Sequence, residues 1–173
     1  MSTTEPMGNA REHRDRAGKY LTFVLDNEGY GLEILKVREI IGVLNITPIP
    51  RTPEYVKGVI NLRGKVIPII DLRLKFGLPS VEWTDETCII VVDVSGVELG
   101  IIVDQVSEVR DIADESIEDP PTVGVHAETD FILGIGKGEG EVTLLLDISR
   151  VLTQEDIRIA RGEQVDGESE EAA

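Results

Sequence analysis

The chain has 173 residues, 41% of them hydrophobic but only 4% aromatic, so it can bury a core, and that core must be built from Ile, Val and Leu, which favour pleated surfaces. A net charge of −16 opposes binding to a phosphate backbone or an anionic leaflet, which argues against a nucleic-acid partner. No apolar run approaches the ~18 residues of a membrane span, and the first residues lack the apolar stretch of a signal peptide, so a cytoplasmic protein without direct membrane insertion is expected.

Residues 1–18 are polar and unpatterned and predict a disordered tail. A first half over 19–80 then reads as strands near 20–26, 29–33, 37–44, 57–62 and 65–70, separated by Gly, Pro, Asn or Asp. A helical turn is predicted at 53–57, with Thr52 as cap and Pro53 in the first position, and another at 72–76 capped by Asp71. The run KGVINLRGKVIPIIDLR (57–73) is a hairpin signal whose tip, Arg63-Gly64, holds up one exposed arginine.

A second half over 81–150 reads as strands near 87–94, 97–103, 106–112, 131–137 and 142–147, with a polar surface connection over 113–130. Residues 151–161 predict a C-terminal helix, interrupted near Thr153, that can pack across the halves, and 162–173 an acidic, disordered tail. Cys88 stands alone in an apolar run and is expected to fill a core position.

The halves repeat each other. GIGKGEGEVTLLLDISR (134–150) lies over the first hairpin with identical spacing, matching Gly58 with Gly134, Gly64 with Gly140, Val66 with Val142 and Asp71 with Asp147. YLTFVLDNEG (20–29) lies over TCIIVVDVSG (87–96), and VREI (37–40) over VSEV (106–109). The tips differ, because Glu139 stands where the first copy has Arg63. Charge differs too: residues 36–75 hold eight basic and three acidic residues, whereas 76–160 hold four and nineteen. Two readings stand, different partners for the two halves or simply a solvated acidic surface.

Chemistry is scarce. The only histidines are His13 and His126, and Cys88 has no partner, so no zinc ligand set of usual spacing can be assembled; no metal or cofactor is expected. GIGKGEGEV leads into a strand, whereas a phosphate cradle leads into a helix, so hairpin glycines are the better reading. Asp93, Glu98, Asp104 and Glu108 alternate with aliphatic residues as an outward strand face does. With no active site in view, a binding module without small-molecule substrate is the stronger class. A small hydrolase with a site near His126 and Asp130 is the alternative from another class.

GVINLRGKVIPIIDLRLKFGL, together with YGLEILKVREIIG and GIIVDQVSEV, closely resembles the CheW family of bacterial chemotaxis coupling proteins over residues 19–160. The resemblance implies a mainly β fold of two five-stranded SH3-like β-barrels related by duplication, with short helices and no catalytic activity. It implies an adaptor that joins the cytoplasmic tip of transmembrane chemoreceptors to the histidine kinase CheA, in receptor arrays at the membrane. By motif it carries the receptor-binding role onto Val37, Glu39, Ile40, Gly58, Arg63 and Val109, and it assigns no residues to the kinase contact. A coupling protein of the same kind serving a non-motility pathway remains the alternative within the class.

Overall fold

The computed structural model describes residues 16–120, 131–138 and 140–160. Residues 1–15 of the expected N-terminal tail, the expected tail 162–173, the 121–130 part of the long connection, and the residues His13, His126, Asp130 and Glu139 lie outside them. Residues 16–18, expected in the tail, instead belong to the fold, with Arg16 buried and Gly18 opening the first strand. The strands are β1 (Gly18–Leu25), β2 (Glu28–Glu33), β3 (Val37–Gly42), β4 (Val56–Leu62), β5 (Lys65–Asp71), β6 (Cys88–Val94), β7 (Val97–Val103), β8 (Gln105–Ile112), β9 (Ile117–Glu118), β10 (Ile132–Gly138) and β11 (Glu141–Leu146). Among the described residues, α1 (Leu72–Lys75) follows the β4–β5 hairpin and α2 (Ile148–Val151) the β10–β11 hairpin, and α3 (Gln154–Ala160) comes directly after α2.

Turn chemistry explains the hairpins. Asp26 and Asn27, Arg63 and Gly64, and Ser95 and Gly96 all have positive φ, as the two-residue turns that match strand twist require. The Asp71 carboxylate accepts from the Arg73 and Leu74 N–H groups and caps α1 as predicted, and Asp147 caps α2 through Ser149. The predicted helical turn at 53–57 is instead a turn running into β4. The Thr52 hydroxyl donates back to the Ile49 carbonyl at 2.9 Å, so it caps nothing. The stretch 113–120 is not featureless, since it contains a 3-10 turn at Asp114–Ser116 and the short β9.

Two mixed sheets stack. One is six-stranded in the order β8-β1-β2-β11-β10-β9, the other five-stranded in the order β3-β6-β7-β5-β4. The repeat is visible in the topology: replacing β8, β1, β2, β11 and β10 by β3, β6, β7, β5 and β4 turns one order into the other. Each sheet contains one parallel pair, β2 with β11 and β7 with β5, at matching places. Register shifts also repeat, between Val56 and Gly58 and between Ile132 and Gly134.

The sheets do not follow the chain halves. The β1–β2 hairpin lies among the strands of the second copy, and the β6–β7 hairpin among those of the first. This exchange places one large core between the sheets, built from Leu21, Phe23, Leu25 and Leu32 of one and Ile70, Ile90, Val92, Leu99 and Ile101 of the other. Smaller cores sit on the outer faces, Ile60, Ile67, Ile69, Ile89 and Val91 on the five-stranded sheet and Tyr20, Ile112, Ile117 and Leu145 on its mate. β6 is therefore covered on both faces, which is why CIIVVDV reads as a continuous apolar run. Cys88 at its end is only half-buried, since its neighbour on β3 is Gly42, which has no side chain to cover it.

Both sheets match SH3-like subdomains but remain open, and one has six strands because β9 adds to β10. The irregular segment that follows β3 joins the other edge of the five-stranded sheet through a single bridge, in which Thr47 and Val59 of β4 exchange two backbone bonds of 2.9 Å. Gly58 is buried at this seam. A Cβ there would stand 2.0 Å from the Thr47 carbonyl oxygen, and its φ is +139°.

Candidate functional site

The residues singled out in the sequence fall at the margin of the shared core and around the seam. β3 pairs only with β6, and β8 only with β1, so both are edge strands. Val37 stands opposite Val92, Ile40 opposite Ile90, and Val109 opposite Leu21. Those three partners belong to the core between the sheets, and directly opposed residues in an antiparallel pair share a face. Val37, Ile40 and Val109 therefore turn toward the space between the sheets from its rim. Val37 packs against the core, while Ile40 is 44% and Val109 50% exposed. The fold positions these aliphatic side chains at an edge where no further strand covers them.

Charged groups frame the β3 side. The Arg63 guanidinium pairs with the Glu39 carboxylate, joining the tip of the β4–β5 hairpin to β3 at the opposite edge of the same sheet. Arg63 holds φ of +53°, an uncommon conformation for a residue with a side chain, and the Asn61 side chain supports it by accepting from the Gly64 N–H at 2.9 Å. Beside this pair, Arg38 donates to Asp93 at 2.6 Å and lies 3.9 Å from Glu98, which also pairs with Lys65 at 3.0 Å. The Arg38 hydrogen bond, followed by a bond from the Gly96 N–H, holds the Asp93 carboxyl below its ordinary range. Of the carboxylates that alternate along the strands, Asp93 and Glu98 thus make ion pairs across the sheet, while Asp104 pairs with Arg73 of α1 at 2.6 Å.

The structure brings Glu39 and Arg63 together, sets Val37 and Ile40 on the same strand as Glu39, and places Val109 on the other sheet. Gly58 presents no surface of its own and reaches the site through the Thr47–Val59 seam. Sequence reading left three features unseen: the Glu39–Arg63 pair, the Asp93–Arg38–Glu98–Lys65 chain and the burial of Asp156. Only the last had a local signal, the Thr153-x-x-Asp156 spacing of a helix capping box. Among the described residues no group of three His, Cys, Asp or Glu side chains is placed to hold a metal ion, and no helix is long and apolar enough to cross a membrane.

A family model described as the CheW-like domain matches residues 19–156. The chain belongs to the CheW family. It is 40% identical over 141 residues to the chemotaxis protein CheW of Klebsiella aerogenes, covering 82% of this chain and 85% of that protein. The CheW of Rhizobium meliloti is 35% identical over 151 residues, with 87% and 97% covered. Among solved structures, the scaffolding protein TtCheW from Thermoanaerobacter tengcongensis superposes with a TM-score of 0.74 at 38% identity, covering 81% of this chain and 95% of that one. The motifs that first suggested CheW, those around Val37, Gly58, Arg63 and Val109, all lie inside the matched region.

Proposed function

We propose that this CheW-family chain is a non-catalytic adaptor that couples the cytoplasmic tip of chemoreceptors to the histidine kinase CheA, recruited from the cytoplasm to receptor arrays. The observation that carries the reading is the pair of edge strands β3 and β8, which offer Val37 and Ile40 on the strand that Arg63 reaches through Glu39, and Val109 on the facing sheet. An amphipathic receptor helix laid along that rim buries aliphatic surface at about 25 cal/mol per Å², and Ile40 and Val109 each gain part of the ~1.5–3 kcal/mol of full burial. Orienting the partner offsets much of this, so affinity is modest and charge sets register. Gly58 serves the site by allowing the seam that holds β4 beside residues 47–48.

Titrating a purified receptor cytoplasmic fragment tests the reading. Arg63→Glu places a second carboxylate beside Glu39 and is expected to weaken binding at least about tenfold while the circular dichroism melt stays close to wild type. Undiminished binding by a folded variant removes Arg63 from the site.

A further inference from the structure

Helices α1 and α2 occupy matching places in the two copies, but α3 has no counterpart, since residues 76–87 contain no helix. Its first turn is closed by a capping box, with the Thr153 N–H donating to the Asp156 carboxylate at 2.9 Å and the Asp156 N–H to the Thr153 hydroxyl at 3.3 Å. On a surface helix such a carboxylate stays in water. Here Asp156 is 0% exposed and accepts two further bonds, from the Tyr55 hydroxyl at 2.8 Å and the Lys75 ammonium at 2.7 Å. The Lys75 nitrogen also lies 4.1 Å from the centre of the Tyr55 ring.

Tyr55 immediately precedes β4, and Lys75 ends the helix that follows β5. One carboxylate therefore grips both ends of the hairpin that carries Arg63 at its tip. The duplication supplies an internal control. The Asp71 N–H donates to the Tyr55 carbonyl at 2.8 Å, and the matching Asp147 N–H donates to the Phe131 carbonyl at 2.8 Å, so both hairpin bases share the backbone tie. The side chains differ: where the first copy has Tyr55 and Lys75, the second has Phe131 and Val151. The second base holds its geometry with apolar residues, and a buried ion pair generally gains little over well-packed apolar groups. The polar grip accordingly marks a task that the second hairpin does not have.

We infer that Asp156 is a positioning residue for receptor docking, which holds Tyr55 and Lys75 so that the β4–β5 hairpin presents Arg63 beside Glu39. This rests on the docking site proposed above. The occupant of that site never touches Asp156, so its effect passes through the orientation of the hairpin.

Hydrogen exchange and fragment titration on the full chain test it, using Asp156→Asn and Tyr55→Phe. The second variant gives the first copy the residue that the second copy already uses, and it keeps the assay informative if Asp156→Asn does not fold. Expected are roughly tenfold faster exchange in 56–71 with 132–146 unchanged, and roughly tenfold weaker receptor binding. In an Arg63→Ala background, Tyr55→Phe should weaken binding no further, because the grip acts through Arg63. Equal acceleration in both hairpins, acceleration in neither, or additive losses with Arg63→Ala each overturn the positioning role. Absence of receptor binding by the wild-type chain removes the docking site itself, an outcome that the exchange comparison, made without receptor, keeps separate.

Discussion

Arg63 and Gly58 show how far single residues can be read from sequence. Arg63-Gly64 between aliphatic runs predicts a hairpin tip, and both residues adopt the positive φ of a tight two-residue turn. The partner of that arginine was not legible, because Glu39 lies 24 residues away and the two meet only when the sheet curls until its edges approach. Gly58 was legible as a repeated position matching Gly134, but not as a seam residue, since its neighbours at Thr47 and Pro48 belong to an irregular segment. Gly58→Ala should cost about 2–4 kcal/mol, combining an unfavourable φ with a Cβ driven into backbone that cannot yield. Urea unfolding measures this, and a loss below about 1 kcal/mol would show that the seam gives way.

Elements were the most legible scale. Among the described residues, ten of the eleven strands stand where alternation and turn residues put them; β9, two residues long, carries too short a pattern to detect. The helices depended on caps. Asp71 was found because it precedes an apolar turn ended by Gly77, whereas Thr52 misled because Ile49 offers its hydroxyl a nearer acceptor.

Burial pushes the Asp71 carboxyl above its ordinary 3.8, and the bonds from the Leu74 and Arg73 N–H groups only partly oppose it. The folded state then binds the proton more tightly than the unfolded one, so this group's contribution to stability falls as pH rises from 3.8 through the folded value. At neutral pH the buried charge is a net cost. Asp71→Asn keeps the acceptor and should unfold at the same or higher urea concentration, with a flatter pH dependence, whereas Asp71→Ala should lose about 1 kcal/mol of cap. An Asn variant as weak as the Ala variant would mean that the charge itself is needed.

At the scale of the whole molecule, the duplication was legible and the exchange of hairpins was not. Periodicity tells which face of a strand is buried, but β6 and β7 are apolar on both faces and would fit either sheet. Only the core between the sheets, shared by both copies, decides their place. A stack of aromatic rings strengthens that link, running from Phe23 through Tyr30 and Phe76 to Phe131 with centroids 5.8, 5.9 and 5.2 Å apart. Separate fragments of 1–80 and 81–173 should therefore stay unfolded by circular dichroism and gain β signal on mixing. Independent folding of either would contradict the exchanged topology.

The proposed adaptor bridges two partners, with the receptor held at the rim between the sheets, along β3 and β8. Co-sedimentation with receptor-containing membranes tests this most directly. The histidine kinase is expected to pellet only when the wild-type chain is added, and to remain in the supernatant with Arg63→Glu. Kinase that pellets equally without the chain, or equally with the variant, would contradict it.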